Sequence, residues 1–407
     1  MRIYPSKIKG EVKISGSKNA ALPIIAASIV LCKKTKLINV PNITDVENLV
    51  NILYKIGCKT KLSKNKLILN SNVNQGELLF EEIKKFRASY YLMSVYLTLF
   101  NEVKIYSPGG CNIGKRPIDF HLEGFKSAGC IIEHEEDVIF IKANKLHPFI
   151  YKIPKKSLGA TVNLLILGSK IKGRSIIQNA STEPEIDDLI SYINKGYSKA
   201  YRDGGDIIIL GNDKVKPYIK HKIFPDRIEC FTYMCIGLNS EKLLIKNIKI
   251  NNLRIPIKCL KDVGANIKCK KNSLIVKKSK LQAINIDSGD YPKLSTDQMP
   301  LLYPIFMRVN DKSTFTEGIF EDRFLVCEEL RKINKNIVIE NNRVLISGLC
   351  DNGSYDLYPK DLRAAACLLI EGMINQNSTI NNLYYLERGY DDIYKKLQKI
   401  GLNFKLE

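Results

Sequence analysis

Apolar positions recur along this chain in two rhythms. Stretches such as Lys59 to Leu69 and Ile337 to Ile346 alternate apolar and polar residues around a polar turn, which predicts paired strands. Between such stretches lie amphipathic runs that end in Gly or Asn. Clear examples are Leu53-Tyr54-Lys55-Ile56-Gly57-Cys58, Phe125-Lys126-Ser127-Ala128-Gly129-Cys130, Leu260-Lys261-Asp262-Val263-Gly264-Ala265 and Leu397-Gln398-Lys399-Ile400-Gly401-Leu402. A weaker copy surrounds Gly196, and Asn334 holds the place after Leu330-Arg331-Lys332-Ile333. These six residues stand at 57, 129, 196, 264, 334 and 401, a period of 67 to 72 residues. Gly and Asn tolerate the left-handed backbone that closes a helix, so a helix end is expected at each.

Upstream of each helix lies another apolar strand and then an acidic loop, as in Leu37-Ile38-Asn39-Val40 before Asp45, or Ser175-Ile176-Ile177 before Glu183 and Glu185. The repeated unit therefore reads strand, loop, helix, turn, strand, strand. Six units predict an α/β protein of two similar domains with three units each, meeting near Phe224-Pro225-Asp226-Arg227. An open solenoid fits less well, because solenoid units are usually shorter. A cleft between two such lobes is the expected substrate site.

Length agrees: 407 residues suit two domains of about 200 each. With 45% hydrophobic and 26% charged residues, the chain has the balance of a soluble globular protein. The longest apolar run, Ala20 to Cys32, is interrupted by Pro23 and Ser28 and falls short of the roughly 20 residues a bilayer requires. No apolar signal core follows Met1, so the expected address is the cytoplasm, without a membrane partner. Eleven cysteines with no CxxC pair resemble neither a zinc site nor a disulfide framework. The formal charge of +21 comes mostly from lysines spread along the chain, with no motif for nucleic acid, and it favours anionic substrates. Arg87, Arg116, Arg227, Arg323, Arg363 and Arg388 sit in loop-like sequence, where a planar fork suits phosphate or carboxylate.

Four loops carry candidate chemistry. Ser15-Gly16-Ser17-Lys18-Asn19 runs from a strand into a helix start, where an ammonium and backbone donors can share an anion. Pro108 to His121 places Cys111 among three glycines beside Lys115 and Arg116, which should favour an accessible thiolate. Asp297, in Ser295-Thr296-Asp297-Gln298, is a candidate base or a helix cap. Glu321-Asp322-Arg323, Lys360-Asp361-Leu362-Arg363 and Glu387-Arg388-Gly389-Tyr390 occupy equivalent loops of successive units. Their guanidinium groups are expected to converge, and convergent unpaired cations would call for an anionic ligand.

These segments (SGSKNAALP, FRAS, PGGCNIGKRPIDFH, SLGATVN, EPEI, PDRIE, STDQM, FEDRF, DLRAA and ERGY) resemble, in order, the motifs of the UDP-N-acetylglucosamine 1-carboxyvinyltransferase family of enolpyruvyl transferases. The resemblance spans nearly the whole chain. It implies a two-domain inside-out α/β barrel of six units, with residues 18–225 as the UDP-sugar lobe carrying the Cys111 loop. Residues 1–17 and 226–407 would form the second lobe. It also implies enolpyruvyl transfer from phosphoenolpyruvate to the sugar 3-hydroxyl by a monomer acting on small molecules, with no metal or organic cofactor. Lys18, Arg116 and Arg388 would grip phosphoenolpyruvate, Arg323 and Arg363 would complete that positive pocket, and Asp361 would be among the substrate-binding residues. Asn19, Arg87, Arg116, Pro117, Ile118, Asp119, Phe120, Lys155, Ser157, Leu158, Gly159, Asp297 and Ile319 would line the UDP-sugar. Asp297 would take the hydroxyl proton and Cys111 would protonate the methylene carbon, which makes Cys111 the expected target of an epoxide phosphonate such as fosfomycin. Thr182 and Ser295 depart from the family's usual Arg and Pro. Shikimate 3-phosphate, a uridine nucleotide, or a non-catalytic UDP-sugar-binding role are the alternatives.

Overall fold

The most apolar stretches of the chain fold into helices with no solvent face, and these form the centres of two units. The computed structural model describes residues 1–74, 76–107, 117–348, 350–351 and 353–406. Residues 1–15 and 225–406 form one unit, and 16–107 with 117–224 form the other.

In the second of these, Lys18–Leu31 is buried from Ala20 to Leu31 and packs against Tyr91–Phe100 and Leu158–Lys170. A helix apolar on every side belongs inside a core. The first unit has the same arrangement: Arg227–Gly237 and Leu362–Asn375 pack with the 3-10 turn Met299–Leu302, which continues into helix Tyr303–Phe306. One-sided helices lie outside each trio, such as Thr44–Lys55 and Pro184–Ile193, whose buried positions recur at helical spacing.

The described residues contain six sheets, three in each unit. Cys32–Ile38 illustrates the plan. It pairs in parallel with Lys216–Lys222 on one side and antiparallel with Lys66–Asn70 on the other, and Lys59–Ser63 completes the antiparallel edge. Four other sheets repeat that order of one parallel and two antiparallel pairings. In the three-stranded sheet the parallel edge is a single bridge, Leu78 to Ile105. Both units close on themselves by returning a distant strand. Lys216–Lys222 comes back to Cys32–Ile38, and Arg2–Ile3 is inserted between Thr379–Ile380 and Phe404–Lys405.

Helix ends divide by chemistry. Gly57, Gly129, Gly264 and Gly401 have φ of 101°, 95°, 103° and 89°, the left-handed turn expected of them. Gly196 and Asn334 do not adopt it, contrary to the sequence reading. There an Asn side chain bridges backbone instead. Asn194 donates to the Ala200 carbonyl and accepts the Ala200 N–H, and Asn334 donates to the Ser347 carbonyl and accepts the Asn336 N–H. Every cysteine among the described residues is free, and seven of them are buried. Among the described residues no helix is long and apolar enough to cross a membrane.

Candidate active site

In the unit of residues 225–406, Asp297 lies two residues before the buried turn at Met299. Its Oδ1 accepts from Arg323 Nη2 at 2.6 Å and its Oδ2 from Arg363 Nη2 at 3.0 Å. The two arginines are nearly buried, whereas the Asp297 side chain is 25% exposed. Local structure explains how each guanidinium is held. Arg363 is the second residue of helix Leu362–Asn375, whose N-cap Asp361 accepts the N–H of Arg363 and Ala364. Arg323 lies on the 3-10 turn Glu321–Leu325 and also donates from Nε to Thr296 Oγ1 at 3.0 Å. Thr296 in turn donates to Glu317 Oε2 at 2.9 Å, while Glu317 Oε1 accepts the N–H of Ile319 and Phe320. The Ile319 loop is thereby tied to the residue beside Asp297.

Two expectations change here. Asp297 caps no helix; Gln298 occupies the N-cap of the turn that follows. Nor are the convergent arginines Arg323 and Arg363 unpaired, because one carboxylate answers both, so their convergence alone does not demand a bound anion. Arg363 also donates to the Tyr390 hydroxyl at 3.3 Å, which sits 2.8 Å from Thr232 Oγ1. Burial acts to lower the Arg363 pKa, but the Asp297 charge and Tyr390 outweigh it and leave it raised. Burial raises that of Tyr390, against the pull of Arg363 and Thr232. Arg388 is half-buried at the end of the short helix Tyr384–Glu387.

In the unit of residues 16–224, Lys18 is the first residue of its helix and its Nζ meets buried Asp45 Oδ2 at 3.0 Å. Ser17, the N-cap residue before it, makes no side-chain cap. Asn19 follows, half-buried. A second cluster joins three motifs that are far apart in sequence. The Arg87 guanidinium lies 5.4 Å from the Tyr90 ring centre, and Tyr90 meets His121 edge-on at 4.8 Å. Asn163 Oδ1 accepts the Ser94 hydroxyl at 2.7 Å, so its amide nitrogen faces His121 Nδ1 at 2.8 Å. His121 Nδ1 is then the acceptor, which puts the proton of the neutral ring on Nε2. Burial and the Arg87 charge push the His121 pKa down to about 3, so the ring is neutral.

Gly159 lies against this cluster. A Cβ there would stand 2.6 Å from the Tyr90 hydroxyl and 2.9 Å from His121 Cε1, so a bare backbone is required. Ser157 caps the same helix through its Oγ and the Ala160 N–H, leaving Leu158 and Gly159 in its first turn, where backbone donors suit phosphate. Lys155 is exposed just before it. Pro117, Ile118, Asp119 and Phe120 lead into helix Asp119–Lys126, which carries His121. Cys111 and Arg116 lie outside the described residues. Nothing in the sequence singles out Glu317, and Asn163 is visible there only as the last residue of SLGATVN. His121 is likewise visible only as the last residue of its motif. Among the described residues no group of three His, Cys, Asp or Glu side chains could hold a metal ion.

The sequence profile of the family described as EPSP synthase (3-phosphoshikimate 1-carboxyvinyltransferase) matches residues 4–397. Among curated relatives, the UDP-N-acetylglucosamine 1-carboxyvinyltransferases of Halothermothrix orenii and Kosmotoga olearia are 36% and 35% identical. Each alignment covers 98% of this chain and 97% of the relative. Among solved structures, the enolpyruvyl transferase NikO from Streptomyces tendae superposes with a TM-score of 0.89 at 19% identity, covering 99% of this chain and 97% of that one. An EPSP synthase from Acinetobacter baumannii gives 0.75 at 16%, covering 100% and 99%. At those identities the two structures bear on fold alone.

Proposed function

Because the chain belongs to the enolpyruvyl transferase family, we propose that it moves the enolpyruvyl group of phosphoenolpyruvate to the 3-hydroxyl of UDP-N-acetylglucosamine, with release of phosphate. This is the first committed step of peptidoglycan precursor synthesis, set here in the cytoplasm. The observation that carries the reading is full-length similarity, at about a third of positions, to relatives that bear this activity in their names. The shared strand order of the sheets around three buried helical segments per unit supports reading each unit as three repeats of an inside-out α/β barrel.

In this reading Asp297 accepts the proton of the 3-hydroxyl as the sugar oxygen bonds to C2 of phosphoenolpyruvate. Arg323 and Arg363 hold the carboxylate in place by charge-assisted hydrogen bonds. Cys111 delivers a proton to C3, giving a tetrahedral ketal that still carries phosphate. Loss of a C3 proton and cleavage of the C2–O bond to phosphate then yield the enol ether and inorganic phosphate. Lys18, Arg116 and Arg388 take the anionic donor. The Arg87–His121–Gly159 cluster, with the helix start at Ser157, takes the nucleotide. His121 remains neutral there and offers a hydrogen-bond donor without adding charge.

Phosphate release from phosphoenolpyruvate tests the assignment, with UDP-N-acetylglucosamine and shikimate 3-phosphate supplied separately. Release with the UDP-sugar alone is expected. Release with shikimate 3-phosphate alone, or with neither, overturns it.

A further inference from the structure

Glu371 is a carboxylate with no exposed surface, set in the middle of an otherwise apolar helix face from Ala364 to Ile374. A buried charge requires a partner, and Arg308 supplies one in a two-pronged grip. Nη1 lies 2.7 Å from Oε2 and Nη2 lies 2.7 Å from Oε1. The same Nη1 donates to the Pro304 carbonyl at 2.9 Å, which fastens the guanidinium to helix Tyr303–Phe306.

Two ion pairs of opposite sense therefore join the same two elements. Segment 297–308 presents an acid at Asp297 and a base at Arg308. Helix Leu362–Asn375 presents a base at Arg363 and an acid at Glu371. Between these points both elements are buried and almost wholly apolar: Met299 to Met307 on one, Ala364 to Ile370 on the other. Apolar packing is non-directional and specifies register weakly, especially against three successive alanines. A bidentate pair does specify it. A slip of one residue along the helix would move Arg363 by about 1.5 Å and turn it by about 100°, away from its contact with Asp297.

We propose that Arg308–Glu371 is a positioning pair that sets the register of Arg363 against Asp297, and with it the orientation of the carboxylate in the transfer reaction. The inference rests on the role proposed above for Asp297. Its test replaces the pair by apolar residues in the double variant Arg308→Met/Glu371→Leu, since a buried ion pair exchanged for well-packed apolar groups often costs no stability. The expected result is a thermal midpoint near that of the wild type, with kcat down about tenfold or more and KM for the UDP-sugar within about twofold. In the substrate-free protein, the Arg363 Nε–H resonance should shift or broaden. Glu371→Gln, nearly isosteric, provides the same readouts if the double variant does not fold. Wild-type kcat together with an unchanged Arg363 resonance, in whichever variant folds, would overturn the proposal. A wild-type protein inactive with both acceptors would instead sink the functional reading, and the resonance would still report whether the pair sets the register.

Discussion

The two units build their candidate residues from different chemistry. In residues 225–406, the cluster is charged and interlocked: Asp297 is gripped by Arg323 and Arg363, each held by further bonds to Thr296 or Tyr390. In residues 16–224, the Arg87 cluster is centred on neutral groups. A buried His without charge, an amide, two hydroxyls and a bare glycine surround the start of a helix. The two clusters suit different tasks. Fixed charges around a carboxylate suit moving a proton, because they need little reorganisation. Neutral donors and open backbone suit holding a large polar ligand without the cost of burying more charge.

Substitutions can break this comparison, and the charged cluster should fail most severely. Asp297→Asn should lower kcat by about 10²–10⁴-fold while leaving KM for the UDP-sugar within about threefold, as loss of a general base does. Steady-state kinetics check this, and wild-type turnover would remove Asp297 from the chemistry. Cys111→Ser should abolish covalent labelling by fosfomycin; peptide mass mapping of the wild type should find the adduct on Cys111, and an adduct elsewhere would contradict the assignment. In the neutral cluster, Gly159→Ala forces a methyl to within 2.6 Å of the Tyr90 hydroxyl. The expected outcome is a rise of about tenfold in KM for the UDP-sugar with kcat nearly unchanged, since ground-state binding is what the site loses. An equal fall in kcat would erase the proposed division.

The smallest effect concerns pH. His121 has a folded pKa of about 3 against an ordinary 6.5, so between those values the unfolded chain binds a proton that the folded chain refuses. Stability from this residue is full above pH 6.5, falls as pH drops through the window by at most about 1.4 kcal/mol per pH unit, and levels off near pH 3. Urea unfolding of the wild type at pH 7 and pH 5, compared with His121→Gln, should show a larger loss in the wild type. Equal losses would mean that the ring is not held neutral.

Much of this was legible in the amino-acid order because it is local. Helix ends at Gly57, Gly129, Gly264 and Gly401 follow from one residue's backbone freedom, and the strand pairs on either side of a turn follow from alternation. The two exceptions, at Gly196 and Asn334, arise because an Asn side chain can close a turn as well as a glycine can, and alternation cannot tell which is used. What escaped was long-range partnership. Nothing near Glu317 announces Thr296, and Asn163 lies 42 residues from the His121 it orients. One such pair did leave a trace: Glu371 sits inside an apolar helix stretch that offers it no solvent face, so a cation had to be found for it.

The product of the reaction decides the function. Phosphoenolpyruvate labelled with carbon-13 at C3 and UDP-N-acetylglucosamine should be incubated with the protein in deuterated water and followed by NMR. The predicted result is an enol ether at the sugar 3-oxygen, with deuterium in its methylene group from the protonation at C3. Labelled pyruvate without any ether, or an ether at another oxygen of the acceptor, would contradict it.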